Sequence, residues 1–415
     1  MQKILLLIAS LFYFNFILAE NEIKSWQGIH ETPLSRLEQQ FAEPPVEFAN
    51  HVIWGWEGKM DKKTICNDLD SIKKKGFRAV IFEAGYKLPF KYLSEEWFKA
   101  IRTGVLEAKK RGMKVWIIDE GKYPSGFAGG KFSQERPDLR MQALVIGDTI
   151  QIKRGEVMTN HKIAPEIISA VAVSTSGAPN RTVAINNGEI SFNAGLDDWK
   201  ILLVKSDFRT AVTRAVNNPN GGKDATNSLC DYLNPVAVQQ FIDWTHEQYK
   251  KYLGKELGTT VLGFRGDEPD YAHLPWTPSI VQTFKDTKGY DPTPYLASFF
   301  TTSPTIQEQR VKADYWDVWS SLFATHFFKL QADWCAANGV AHITHLNKEH
   351  EMPACVKAEG DYFRNLSKVQ IPGVDAIWNQ IWPGTLNDFP KLASSVAHVY
   401  GKPRAFSESF AAYHI

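Results

Sequence analysis

Several common kinds of site are missing from this chain. Its four cysteines, Cys66, Cys230, Cys335 and Cys355, include no CxxC pair. That excludes a disulfide framework and a structural zinc site, leaving isolated thiols, two of them on predicted helices. Charge of one sign is also missing. Lys and Arg number 47 against 46 Asp and Glu, for a net charge of +1, so nothing favours nucleic acid or an anionic membrane as partner. There is no HExxH and no GxxxxGKS, which removes two familiar metal and phosphate sites. The apolar run at residues 4–18 is short for a membrane span and lacks a charged stop beyond it, so stable membrane insertion is not expected.

That run has the features of an export leader. Lys3 supplies the basic start, and Ala19 precedes the acidic Glu20-Asn21-Glu22. Residues 1–19 therefore read as a signal peptide on an exported protein, periplasmic or extracellular. Aromatics are plentiful, with 13 Trp, 14 Tyr and 25 Phe. Such rings stack on sugars and equally fill cores. Trp54, Trp56, Trp276, Trp378 and Trp382 are the candidates for stacking, and Trp382, beside Pro383-Gly384, is the one placed in a loop.

A repeating strand–helix rhythm follows a polar lead-in at 20–49. Strands are predicted at 51–58, 77–83 and 113–120. Between them run helices capped by Asp61 and Ser94, the second ending in Lys109-Lys110-Arg111-Gly112. Three such units in a row mean a parallel sheet. The rhythm breaks over 140–222, where strands at 143–152, 167–174, 182–185, 190–193 and 199–204 follow one another without helices. Asn186-Asn187-Gly188 reads as a turn among them, and 217–222 as an exit loop. Helices resume at Asn234-Pro235 and run through Leu253, with a long aromatic helix over 311–338. Further strands are predicted at 261–268, 341–347, 374–380 (after a turn at Ile371-Pro372-Gly373) and 402–410. The fold expected is an α/β (β/α)8 TIM-like barrel, cut short after strand seven. The barrel occupies 50–139 and 223–415, with a small antiparallel β subdomain inserted after strand three.

Strand ends of a barrel converge on one mouth, and here they are unusually acidic: Glu57, Glu83, Asp119-Glu120, Asp267-Glu268, His345 with Asn347, Asn379-Gln380 and Glu408. Gathered carboxylates repel one another and are kept for acid–base work or cation binding. Singly, each is better explained as a helix cap or a hydrogen-bond partner; as a set that explanation weakens. Glycoside hydrolysis needs one protonated carboxyl and one ionised. Glu268, ahead of Pro269, is the expected acid, and Glu408 the second, as base or nucleophile. Glu83, Asp119, Glu120, Asp267, His345, Asn347, Asn379, Gln380 and Trp382 are the expected substrate contacts, with His345 neutral at a sugar hydroxyl. Arg265 is expected to pair with Asp267.

Gly266-Asp267-Glu268-Pro269 resembles the acid–base strand of the large barrel clan of glycosidases, with Asp267 in place of that clan's Asn. The extra charge would raise the Glu268 pKa, and it equally fits cation ligation. Further motifs are the glycine-rich Asp119-Glu120-Gly121-Lys122-Tyr123-Pro124-Ser125-Gly126, Asp231-Tyr232-Leu233-Asn234-Pro235, Gly360-Asp361-Tyr362-Phe363-Arg364, Ile371-Pro372-Gly373-Val374-Asp375 and Ser407-Glu408-Ser409-Phe410. Together they resemble glycoside hydrolase family 106, the α-L-rhamnosidases. The resemblance implies a carbohydrate substrate with a terminal rhamnose-like sugar, an inverting mechanism, calcium near the site (Asp267, Glu83 and Glu120 being candidate ligands) and further β-domains. Two other readings stay open: a non-catalytic carbohydrate-binding barrel, and a metal-dependent hydrolase using Asp119, His345 and Asp267.

Overall fold

The computed structural model describes residues 33–211, 214–215, 226–271, 274–377, 380–381, 384 and 387–409. The leader at 1–19, the loop at 217–222, and Trp378, Asn379 and Trp382 lie outside them.

Seven strands form one parallel sheet, labelled here β1 (His51–Trp56), β2 (Ala79–Ala84), β3 (Lys114–Ile118), β4 (Val261–Asp267), β5 (Ala341–His345), β6 (Ile371–Ala376) and β7 (Phe406–Ser409). Each pairs with its neighbour in sequence, in the order β1 to β7. That order follows from right-handed strand–helix–strand crossovers, and it makes a curled wall of TIM-barrel type. Asp61 and Ser94 cap the helices Lys62–Lys74 and Glu95–Lys110, accepting from the backbone N–H of Thr64 and Trp97. These helices pack on the outer face of the sheet. There Trp56, Phe82, Trp97, Ile101, Val105 and Phe264 are fully buried, each contributing about 1.5–3 kcal/mol by burial. Ile81, Trp116, Ile118, Leu262 and Ile343 form a separate cluster on the inner face.

Two strand positions need glycine or tolerate proline for local reasons. A side chain at Gly263 would come within 1.9 Å of the Ala341 carbonyl, so the absent Cβ lets β4 lie against β5. Ile371-Pro372-Gly373 does not form the expected turn: these residues begin β6, with Pro372 opposite Thr344. The polar end of this strand is therefore Asp375, and Gln380 falls beyond it.

Between β3 and β4 the chain runs through antiparallel strands. A five-stranded sheet has the order Pro275–Trp276, Gln142–Ile152, Trp199–Phe208, Ile167–Ser174, Arg181–Thr182. Its edge strand Pro275–Trp276 comes from the segment after β4, so this sheet reaches beyond 140–222. Val157–Lys162, Glu189–Asn193 and Ile185–Asn186 form a smaller sheet. Asn187 and Gly188 there take φ of 50° and 77°, as a two-residue hairpin of the primed type requires. The long aromatic segment is Ile306–Leu322, a π-helical turn at Phe323–Phe328, then Lys329–Ala337. Tyr315, Trp319, Phe323, Phe327 and Phe328 are core residues. All four cysteines are free thiols.

Candidate active site

The carboxyl ends of β4, β5, β6 and β7 meet around one buried arginine. Arg265 points the same way as Asp267, two residues on, as strand alternation requires. Its Nη2 donates to Asp267 Oδ1 at 3.3 Å and to Glu408 Oε2 on β7. His345, ending β5, stands beside it, its Nε2 being 2.9 Å from that nitrogen. The imidazole Nε2 is also 3.2 Å from Asp267 Oδ1 and 3.3 Å from Glu408 Oε2, while Nδ1 is 3.7 Å from Glu349 Oε1. The guanidinium and the imidazole thus share the same two carboxylates. Burial alone would lower the His345 pKa, but Asp267, Glu349 and Glu408 outweigh it and hold it well above the ordinary value. The carboxylates favour a charged ring, while the 2.9 Å approach of the Arg265 guanidinium to Nε2 favours a neutral one that accepts there.

The carboxyls of Glu268 and Glu408 sit in opposite environments. Burial raises Glu268 to about 8; His345 pulls it down, while Asp267 and Asp375 push it up. Burial would raise Glu408 too, but Arg265 and His345 hold it below the ordinary range. Glu268 is therefore protonated at neutral pH and Glu408 ionised. Glu268 also has φ of +38°, an unfavourable conformation for a non-glycine residue, and it lies directly before a proline. Strain of this kind, about 1–3 kcal/mol, persists where surrounding contacts over-determine it.

The other predicted residues divide. Glu83 faces Lys122 at 3.0 Å; burial raises its pKa against that cation. Asn347 donates to Tyr123 Oη at 3.1 Å and lies 3.4 Å from Asp270 Oδ2. Gln380 contacts His350 at 3.1 Å. Glu57 is exposed and accepts from the backbone of Tyr86. Asp119 and Glu120 are sealed from solvent. Glu120 accepts from the N–H groups of Gly121, Ala128 and Gly129, folding the glycine-rich loop around itself. Asp119 accepts from Ser125. Neither is placed to touch a sugar. Of the tryptophans, Trp56 and Trp276 are core.

Three residues at the centre escaped the sequence reading: Asp375, Glu349, and Arg265 in its bridging role. Asp375 is buried, raised to about 7 by that burial, and opposite Glu408 in the β6–β7 register. The misplaced start of β6 hid it.

Calcium takes six to eight oxygens. Among the described residues two groups of three bring ligand atoms within 4.8 Å of one another: Asp267, His345 and Glu408, and Glu268, His345 and Asp375. Both depend on a nitrogen of His345 where calcium prefers oxygen, and the Arg265 guanidinium already fills the first. These donors do not fit calcium. Asp119 belongs to neither group, so the metal-hydrolase set of Asp119, His345 and Asp267 is not assembled.

The family described as alpha-L-rhamnosidase, glycoside hydrolase family 106, matches residues 180–414. A Formosa agariphila protein provisionally named a β-glucuronidase is 24% identical over 432 residues, covering 91% of this chain and 35% of its own. The solved structure of a rhamnosidase from Novosphingobium sp. PP1Y superposes with a TM-score of 0.66 at 16% identity, over 92% of this chain and 53% of that one. The fold is shared, and this chain spans between a third and about half the length of these relatives.

Proposed function

This chain belongs to glycoside hydrolase family 106, the α-L-rhamnosidase family, and from that membership we propose that its site cleaves terminal rhamnose-like sugars from plant or microbial glycans, with Glu268 as general acid and Glu408 as general base. The observation that carries this reading is the divergence of the two carboxyls, one held protonated and one ionised within a single cluster. Glu268 delivers its proton to the glycosidic oxygen as the C1–O bond breaks. Glu408 takes a proton from the water whose oxygen attacks C1. Exchange with solvent returns both groups to their starting state. Arg265 and His345 keep Glu408 ionised and hold it in place. With water as the attacking group the product anomer is inverted, in line with the family resemblance.

We further infer an exported protein, acting in the periplasm or outside the cell, and a barrel whose antiparallel strands form a lobe inserted between β3 and β4. No helix among the described residues is long and apolar enough to cross a membrane.

The test is hydrolysis of 4-nitrophenyl α-L-rhamnoside and of an unactivated rhamnosyl disaccharide by the full protein, followed by NMR of the first-formed anomer. Wild type is expected to release inverted rhamnose. Glu268→Gln and Glu408→Gln are each expected to lose about 100-fold or more on the disaccharide, since positioned proton transfer contributes on the order of 10²–10⁴. Glycan binding with no cleavage of any glycoside by wild type would favour a non-catalytic binding barrel instead.

A further inference from the structure

We propose that Ser125 and Asp119 are positioning residues for the acid, acting through the backbone of Asp267 to hold Glu268 in its strained conformation; this rests on the assignment of Glu268 above. The glycine-rich loop after β3 delivers one serine to the end of β4. Ser125 N donates to the Asp267 carbonyl at 2.8 Å, and Ser125 Oγ accepts from Asp267 N at 2.7 Å. A single residue thus takes both backbone groups of Asp267, immediately before the residue with φ of +38°. Beyond Glu268 comes Pro269, which has no N–H to anchor the chain from the other side. The peptide entering Glu268 is therefore the one that must be fixed.

Serine suits this place because one oxygen has to donate and accept at once. Its hydroxyl proton goes to Asp119 Oδ1 at 2.6 Å, which leaves the lone pairs for Asp267 N–H. Its carbonyl accepts from Tyr232 Oη at 2.5 Å, and the residue is wholly buried. Every polar atom of Ser125 is engaged. Asp119 is equally buried, and its second oxygen, Oδ2, has no hydrogen bond among the described residues. Burial pushes its carboxyl well above the ordinary range. A sealed carboxyl half without partners costs stability, and the hydrogen bond made by its other oxygen is the one that orients the serine. The loop is shaped for this delivery. Glu120 gathers its backbone N–H groups, and Gly126 has φ of +110° where a side chain would meet Tyr232 at 2.5 Å.

A displaced general acid hurts most when the leaving oxygen needs its proton, whereas a merely structural loss affects all substrates alike. The experiment compares kcat and KM for 2,4-dinitrophenyl and 4-methoxyphenyl α-L-rhamnosides in the full protein. Ser125→Ala is expected to lose about 10-fold or more in kcat on the methoxyphenyl substrate and less than about 3-fold on the dinitrophenyl one, a part of the roughly 10²–10⁴ available from positioned proton transfer. KM stays within about 2-fold for both, because ground-state binding is untouched. Ser125→Thr, which keeps the hydroxyl, restores most of the methoxyphenyl rate. Asp119→Ala, which frees the serine hydroxyl to rotate, gives the same selective loss and carries the test if Ser125→Ala is not recovered folded. Equal losses on both substrates, or no loss, overturn the proposal. If Glu268→Gln itself shows no leaving-group selectivity, the acid assignment has failed instead.

Discussion

Arg265 is the residue on which the charges of the site turn. It is nearly inaccessible and bridges Asp267 and Glu408, whose ionised forms it stabilises alongside His345. Replacing it by Met leaves two carboxylates facing each other across the His345 ring. The Glu408 pKa should then rise, since removing an adjacent opposite charge typically moves a carboxyl by about 1–3 pH units. The acid limb of kcat/KM for Arg265→Met is expected to shift to higher pH, measured on 4-nitrophenyl α-L-rhamnoside; an unmoved limb would remove Arg265 from this role. The sequence showed part of this. Alternation along a strand put Arg265 on the face of Asp267, so that pairing was legible. The three-way bridge was not, because His345 and Glu408 lie 80 and 143 residues away and only the folded sheet brings them in. The same convergence sets three carboxylates, Asp267, Glu349 and Glu408, around His345, of which only Asp267 was grouped with it in the sequence.

At the scale of single elements, β4 is the strand most constrained by its neighbours. Gly263 admits β5 on one side, and Ser125 clips the strand end from the other. Gly263→Ala forces a Cβ against the Ala341 carbonyl, and destabilisation of about 1–3 kcal/mol or more is expected from the overpacking, read from the midpoint of urea unfolding. Full stability in that variant would show that β4 and β5 can move apart at little cost. Apolar runs and helix caps made β1 to β5 legible, with Asp61 and Ser94 marking their helices to the residue. β6 was read late because Pro372 and Gly373 are turn signals in isolation. In the sheet Pro372 is buried in the strand, and correcting that start exchanges Asn379-Gln380 for Asp375 as the polar end. The strand Pro275–Trp276 was missed for a different reason. Two residues carry no periodicity, and their partner at Gln142 and Ala143 is remote in sequence.

Across the whole molecule, buried ionisable groups link stability to pH in two opposing ways. Burial raises Glu120, Asp231 and Asp375 to about 7 and Glu268 to about 8. The folded protein holds these protons where the unfolded chain, with ordinary carboxyls, has released them, so stability falls as pH rises toward 8. Burial lowers His51 to about 4 and His342 to about 3, so the unfolded chain binds protons there that the folded one does not, and stability rises with pH up to about 6.5. Above 6.5 only the first effect remains. Urea unfolding should therefore show lower stability at pH 8.5 than at pH 6.5; a rise over that interval would contradict the neutral state of those carboxyls. Because Arg265 supplies positive charge in the cluster, EDTA is expected to leave the melting temperature unchanged, whereas a fall reversed by calcium would place a cation in the site after all. The succession of parallel strands was readable from the chain; the sharing of charge at its mouth was not. The central claim, that Glu268 is the protonated acid, is tested most directly by the pH dependence of kcat/KM for the full protein on 4-nitrophenyl α-L-rhamnoside. The profile should lose activity on a basic limb near pH 8, and the residual rate of Glu268→Gln should lack that limb. A Glu268→Gln variant that retains both the limb and a rate within a few-fold of wild type would contradict it.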